Sequence, residues 1–264
     1  MLMNNNPLRL SLIALSCAAI SLTLTGCAAT SGSSVSSILS QAKSASSSLT
    51  QAEISSGLKE ALNIGVKTGV KVLSANNGYY NDLATRIGLP SEAVIITKNV
   101  AKLPGGQALV TKVIKNINAA ASDAATQAVP IFASAITDMT ITDAKTILKS
   151  KGQAATDYFK TKTKTPLKKL FGTYISKSVN KKLLGDVSAQ SCWDSMTSEW
   201  NEVATSTVGR VAGFTTVKTD LTDYLTDKAV DGIYYKVGEQ EKKIRTDVSQ
   251  RTTALLKKVF AHQS

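Results

Sequence analysis

From Ile54 to Leu73 apolar and small residues return three or four positions apart: Ile54, Leu58, Ala61, Leu62, Gly65, Val66, Gly69, Val70 and Leu73. Only a helix brings residues at that spacing onto one face, so the pattern predicts an amphipathic helix of about six turns. Its start is legible as well. Thr50-Gln51-Ala52-Glu53 fits a capping box, in which the hydroxyl accepts from the backbone at Glu53 and the carboxylate reaches back. Asn76-Asn77-Gly78 ends the run. Gly65 and Gly69 inside this helix each cost about 1 kcal/mol against alanine. Close approach of a second helix is the compensation they imply.

Helical patterns continue to the C-terminus. Leu89-Pro90-Ser91 closes a short element and caps the next, Glu92–Leu103. Pro104-Gly105-Gly106 breaks the chain before Gln107–Ala128, and Pro130 interrupts that helix ahead of Ile131–Ile136. Thr142 with Asp143 opens a helix through Leu148. Pro166 fits the first position of a helix running toward Leu184. Ser195–Val203, Asp220–Tyr235 and Asp247–Phe260 complete the set, and Val208–Val217 reads as a short strand or a loop. Alternating β-branched runs are nearly absent. The expected class is therefore all-α, one multi-helix domain over residues 50–264, large enough to bury roughly 70% of its unfolded surface.

The N-terminus reads as an address. Arg9 precedes Leu10–Leu24, a stretch with no charge that is shorter than the roughly 20 apolar residues of a spanning helix. Leu24-Thr25-Gly26-Cys27 looks like a bacterial lipobox, in which Cys27 is diacylated and becomes the first residue. An ordinary signal cleaved nearby, after Ala29, is the other reading. The expected organisation is a lipoprotein signal over residues 1–26, a lipid-anchored serine-rich linker over 27–49 and the helical domain beyond. Ten of the 22 residues from Ala28 to Leu49 are serine, which makes a tether of about 25 Å. No other window is long and apolar enough to span. Ala28 rather than aspartate after the cysteine implies outer-membrane sorting under enterobacterial rules, with the domain in the periplasm.

Cysteine and histidine limit the chemistry. Cys17 leaves with the signal and Cys27 takes lipid, so Cys192 has no partner for an intramolecular disulfide. It reads as a buried, inert thiol beside Trp193. The single histidine, His262, stands two residues before the end, which excludes a His-His metal site and weakens any histidine-base mechanism. Gly105-Gly106 lacks the lysine and hydroxyl of a phosphate loop. No catalytic residue, cofactor or metal is assigned.

Charge is concentrated instead. Between Lys145 and Lys182 stand eleven lysines and one acid, Asp157, with Tyr158, Phe159, Phe171 and Tyr174 among them. Lys160, Lys162, Lys164, Lys168, Lys169, Lys177, Lys181 and Lys182 are the candidate contacts to an anionic surface. Phospholipid, lipopolysaccharide or acidic cell-wall polymer would supply it. Nucleic acid has the same electrostatic footprint but is seldom met by an exported protein, and a merely solvated lysine face is the plain alternative. Glu241, Arg245 and Arg251, near Glu239 and Asp247, form a second candidate polar site. Glu241 and Arg245 are four apart and pair on one helix face. Asp138, Asp143 and Asp157 could converge as an acid–base or metal group, but helix capping accounts for Asp143 and Asp157. Trp193 and Trp200, seven apart, read as one buried helix face.

Several runs together resemble the domain-of-unknown-function family 4197. They are Gly57-Leu58-Lys59-Glu60-Ala61-Leu62, Gly78-Tyr79-Tyr80-Asn81, Leu89-Pro90, Pro130-Ile131-Phe132, Ala135-Ile136-Thr137-Asp138-Met139-Thr140-Ile141, Asp143-Ala144 and Ala155-Thr156-Asp157-Tyr158-Phe159. Asp223-Tyr224, Asp231-Gly232, Glu241, Ile244-Arg245, Arg251 and Leu255-Leu256-Lys257-Lys258-Val259-Phe260 extend the likeness over about Thr50–Phe260. One departure is Asn118-Ala119-Ala120-Ala121-Ser122, where that family tends to carry an Asn-Arg-Ala-Ala-Glu-like run. The resemblance implies an exported, often lipid-anchored Gram-negative protein and brings no catalytic residues. The functional expectation is an envelope lipoprotein acting as a non-catalytic binding or structural module. A carboxylate-dependent periplasmic hydrolase is the alternative.

Overall fold

The computed structural model describes residues 49–102 and 104–261. Cys27, the serine-rich tether and His262 lie outside them. Helix α1 (Gln51–Leu73) opens on the capping box read from sequence: Thr50 Oγ1 accepts from the Glu53 amide at 3.2 Å, and Glu53 Oε2 accepts from the Thr50 amide at 2.8 Å. Its buried face is the expected stripe from Leu58 to Leu73. A Cβ at Gly69 would lie 3.2 Å from the Lys236 carbonyl carbon and 3.3 Å from the Val237 nitrogen. That is the close helix approach the glycines implied.

The remaining elements follow in order. Short α2 (Gly78–Asn81) precedes a 3₁₀ turn (Ser91–Ala93) that leads into α3 (Val94–Ala101). Next come α4 (Gly106–Ala125), α5 (Val129–Thr137) and α6 (Ile141–Lys149), then the long α7 (Ala154–Val179). A small antiparallel hairpin, β1 (Lys182–Leu184) and β2 (Val187–Ser188), leads to α8 (Ala189–Thr205) and α9 (Thr207–Val211). Helix α10 (Leu221–Thr246), a 3₁₀ turn (Val248–Gln250) and α11 (Ala254–Phe260) end the fold. The all-α expectation holds, and among the described residues no helix is long and apolar enough to cross a membrane.

Three long helices form the centre. α10 lies between α1 and α7, α4 and α5 close over α7, and α5, α6 and α11 lean on α1. One cluster of buried apolar residues, from Leu58 to Phe260, runs through all of them. Tyr79, Phe132, Phe159 and Phe171 are fully buried in it. The Tyr79 hydroxyl donates to the Ala229 carbonyl at 2.7 Å, which satisfies its polar end. Among the described residues the whole core lies within the compact unit that begins at Leu49, and this unit is expected to fold by itself.

Several boundaries differ from the sequence reading. Helix α7 begins twelve residues before Pro166 and runs through it. Phe159, Thr163, Leu167, Phe171, Ile175 and Val179, at a spacing of four, are buried on both sides of the proline. Their burial outweighs the roughly 3 kcal/mol cost of an interior proline. Pro166 is itself exposed, so water can serve the carbonyl that loses its amide partner. Helix α6 starts at Ile141 because Thr140, not Thr142, forms a capping box with Asp143. Helix α10 continues well past Tyr235, and Val208–Val217 holds α9 and a loop instead of a strand.

Candidate functional site

The Glu241, Arg245 and Arg251 group is buried and tied throughout to helix ends. Helix α7 has no local side-chain cap at Gln153. Glu241, projecting from α10, supplies one from 85 residues away. Its Oε1 accepts from the Ala155 amide at 3.0 Å, while Oε2 accepts from the Thr156 amide at 2.9 Å and the Thr156 hydroxyl at 2.7 Å. A carboxylate is favoured there because a helix N-terminus presents unpaired amides and the positive end of the dipole. Arg245 donates Nε and Nη2 to Glu241 Oε1 at 3.0 and 2.9 Å. Nη2 also donates to the Ile147 carbonyl and Nη1 to the Ser150 carbonyl, at the end of α6. Arg251 then closes α10, donating to the Ile244 and Arg245 carbonyls at 3.2 and 2.9 Å, with its guanidinium over the Phe260 ring. Glu241 is 7% exposed and Arg251 6%. The ion pair expected from the spacing of four is present, and the three side chains are occupied as caps for α6, α7 and α10. Asp157 is not a cap. It is exposed in the first turn of α7 and pairs with Lys160 at 3.3 Å.

Sequence reasoning missed three buried polar anchors, Asn118, Ser122 and Lys236. Asn118, fully buried on α4, accepts from the Ile87 amide and donates to the Ile87 carbonyl, both at 2.8 Å. Ser122, one turn on, accepts from the Tyr79 amide at 3.3 Å. The run Asn118–Ser122 thus holds the Gly78–Leu89 segment onto α4. Lys236 on α10 is 8% exposed and paired with Asp82 at 2.5 Å and Glu239 at 2.7 Å. Burial pushes its pKa down, but the hydrogen bonds it donates to the two carboxylates carry it above the ordinary lysine value.

The lysine segment divides by position. Lys168 is held by Asp223 at 3.0 Å and Asp227 at 2.9 Å, tying α7 to α10, which raises its pKa. It belongs to the packing of the fold, unlike the surface contact expected of it. Lys182 pairs with Asp186 across the hairpin turn. Lys162 lies over the Tyr158 ring at 5.9 Å. Lys164, Lys169, Lys177 and Lys181 are exposed. Lys160, Lys164 and Lys168, four apart, follow one flank of α7, while Lys162 and Lys169, seven apart, follow another. Tyr158 and Tyr174 are half-buried, and Phe159 and Phe171 belong to the core, so the interleaved rings are packing and not a contact surface.

Two clefts remain. One of about 500 Å³ opens between α5 and α7, with Pro130, Ile131 and Pro166 beside Ser134, Asp138, Tyr158 and Lys162. Burial first, then the charges of Asp143 and Asp138, push the Tyr158 phenol above its usual pKa. Hydrogen bonds from the Thr140 hydroxyl and amide hold the Asp143 carboxyl below its usual range. Asp143 is therefore engaged as a cap, and Asp138, at the end of α5, stands on the rim without it. The other cleft, about 100 Å³, is lined by Leu89, Val113, Leu183, Cys192, Trp193 and Leu221 among others. Cys192 is exposed at this rim, a correction to the buried thiol expected. Trp193 is buried and Trp200 half-buried. Their indoles donate to the Thr219 and Thr215 carbonyls at 2.9 Å each, pinning the loop before α10. Among the described residues no cluster of three metal-ligating side chains occurs.

No curated protein and no solved structure matches the chain. A family model described as "Protein of unknown function (DUF4197)" matches residues 48–261, the whole of the fold just described. On that match the chain belongs to the DUF4197 family.

Proposed function

We propose that this chain is a lipid-anchored protein of the bacterial cell envelope whose helical domain is a non-catalytic binding or structural module. In this reading it meets an anionic envelope surface through α7. The observation that carries it is the set of exposed lysines on α7 (Lys160, Lys162, Lys164 and Lys169), offset only in part by Asp157 beside Lys160 and by Asp138 and Asp143 near Lys162. The lipobox-like end at Cys27 supports the anchor. That Glu241, Arg245, Arg251 and Asp143 serve as helix caps supports a structural module over a hydrolase built on those groups.

Each near-surface lysine contributes about 1 kcal/mol toward anionic lipid. Four of them together correspond to roughly a thousandfold in partitioning. Residues 49–264, without the anchor, should cosediment with phosphatidylglycerol-containing vesicles but not with phosphatidylcholine alone. Binding should fall steeply as the Debye length shrinks from about 30 Å at 0.01 M salt to about 8 Å at 0.15 M. Reversing Lys160, Lys162, Lys164 and Lys169 to glutamate should abolish the low-salt binding and leave the helical spectrum unchanged. Lys168 is spared because the fold uses it. Mass spectrometry of the membrane-extracted protein should show a diacylated N-terminal Cys27. A domain indifferent to anionic vesicles at low salt, or an unmodified Cys27, overturns the corresponding half of the reading.

A further inference from the structure

The β1–β2 hairpin breaks the pattern of the molecule. Lys182 faces Ser188 and Leu184 faces Val187, with Gly185-Asp186 as a two-residue turn. Gly185 has φ of +55°, the left-handed conformation such turns require and glycine adopts without strain. The register slips by one residue between Lys182 and Leu184, a bulge in β1, so burial and not alternation tells which side chain faces in. Leu183 turns inward and lines the apolar cleft with Ala189 and Trp193. Leu184 turns outward with Val187, its cross-strand neighbour. Leu184 is 66% exposed and Val187 47%. A tip of five to seven residues thus presents an apolar pair to solvent.

The surroundings of that pair are cationic. Lys177 occupies the last turn of α7, and Lys181 and Lys182 lead into β1; all three are exposed. Asp186 is the one acid of the tip and is paired with Lys182. An apolar tip collared by lysines matches a surface whose phosphates lie just outside an acyl layer. A protein groove would need to supply both an apolar seat and a ring of acids. We propose that the hairpin is a membrane-contact tip: Leu184 and Val187 enter the acyl boundary of an anionic bilayer while Lys177, Lys181 and Lys182 meet its phosphates. This rests on the envelope reading above and locates a second contact, apolar where the first is electrostatic.

The test uses residues 49–264 and phosphatidylglycerol–phosphatidylcholine vesicles at 0.15 M salt, where attraction by the α7 lysines is screened. The wild-type domain should retain a salt-resistant share of binding. Leu184→Asp with Val187→Asp should reduce that share at least about tenfold, since burying a leucine side chain corresponds to that much or more. Both side chains face solvent, so the helical spectrum should not change. Val208→Asp with Val211→Asp, on α9 at the other end of α8, removes two side chains that are 77% and 86% exposed but lack the lysine collar. It should bind as wild type. In a separate variant, the indole of Leu184→Trp should shift to the blue on binding and be quenched by brominated acyl chains.

Hairpin variants that bind like wild type, or an α9 variant that loses as much, would overturn the tip while the lysine-reversal result still upholds the envelope reading. A wild-type domain that ignores anionic vesicles at every salt would overturn both. If the hairpin variants change the sedimentation of the free domain without changing vesicle binding, a second copy occupies the tip and the lipid assignment is wrong.

Discussion

Glu241→Ala should lower the unfolding free energy of residues 49–264 by about 3–5 kcal/mol, the cost of leaving a buried charge without its partner. The substitution strands the Arg245 guanidinium, 12% exposed, and the Ala155 and Thr156 amides of α7 together. A domain stable by about 5–15 kcal/mol loses a large part of its margin. Urea titration followed by circular dichroism reads the effect as a lower midpoint. Arg245→Ala should cost a similar amount, and the double variant less than the sum, because each single change pays for an orphan that the double change removes. Arg245→Lys should not rescue, since one ammonium cannot reach the Glu241 oxygen and two carbonyls in separate directions. A Glu241→Ala shift under about 1 kcal/mol would mean that water replaces the carboxylate and that the cap is incidental.

Phe132→Ala should cost a comparable 3–5 kcal/mol. The ring is wholly inaccessible and meets Phe159 edge-to-face at 5.1 Å and Tyr234 at 6.2 Å. It joins α5 to both α7 and α10, and Tyr234 beside it is held by a 2.9 Å hydrogen bond with Thr163. Phe132→Leu keeps most of the volume and should cost less than half as much. The near-ultraviolet spectrum should weaken in the alanine variant before the far-ultraviolet one does, as tertiary packing loosens around intact helices. Equal stability of the alanine variant and wild type would place the ring outside the core.

What could be read from the sequence was local. Thr50 and Glu53 satisfy each other within four residues, so the start of α1 was visible, and the Gly65–Gly69 pair announced a close neighbour without naming α10. The errors lie where a partner came from far along the chain. Pro166 looks like a helix start because nothing nearby shows that Phe159 and Phe171, on either side, are both held in the core. Asp157 looks like the cap of α7 because the true cap, Glu241, is 85 residues away. Lys168 looks like its neighbouring lysines until Asp223 and Asp227 arrive from α10. Thr140 escaped notice because its box closes on aspartate where glutamate or glutamine is the usual sign. The hairpin did leave a signal, Leu-Leu-Gly-Asp-Val, but a strand of three residues is too short for alternation to stand out.

The arrangement of α1 against α10 and α11 also governs when this protein can become a protein at all. Lys258 reaches Glu53 across 205 positions, and the Tyr79 hydroxyl finds its acceptor 150 positions on. A chain emerging N-terminus first, from a ribosome or a translocation pore, therefore keeps the part of α1 that α10 and α11 cover unsheltered until nearly its last residue is free. The middle also waits on the end, because α7 lacks its N-terminal cap until α10 arrives. Such long-range closure slows folding relative to a bundle of sequential hairpins. It also makes completeness a condition of stability: a chain clipped before Glu241 loses the groups that hold the middle and the beginning together.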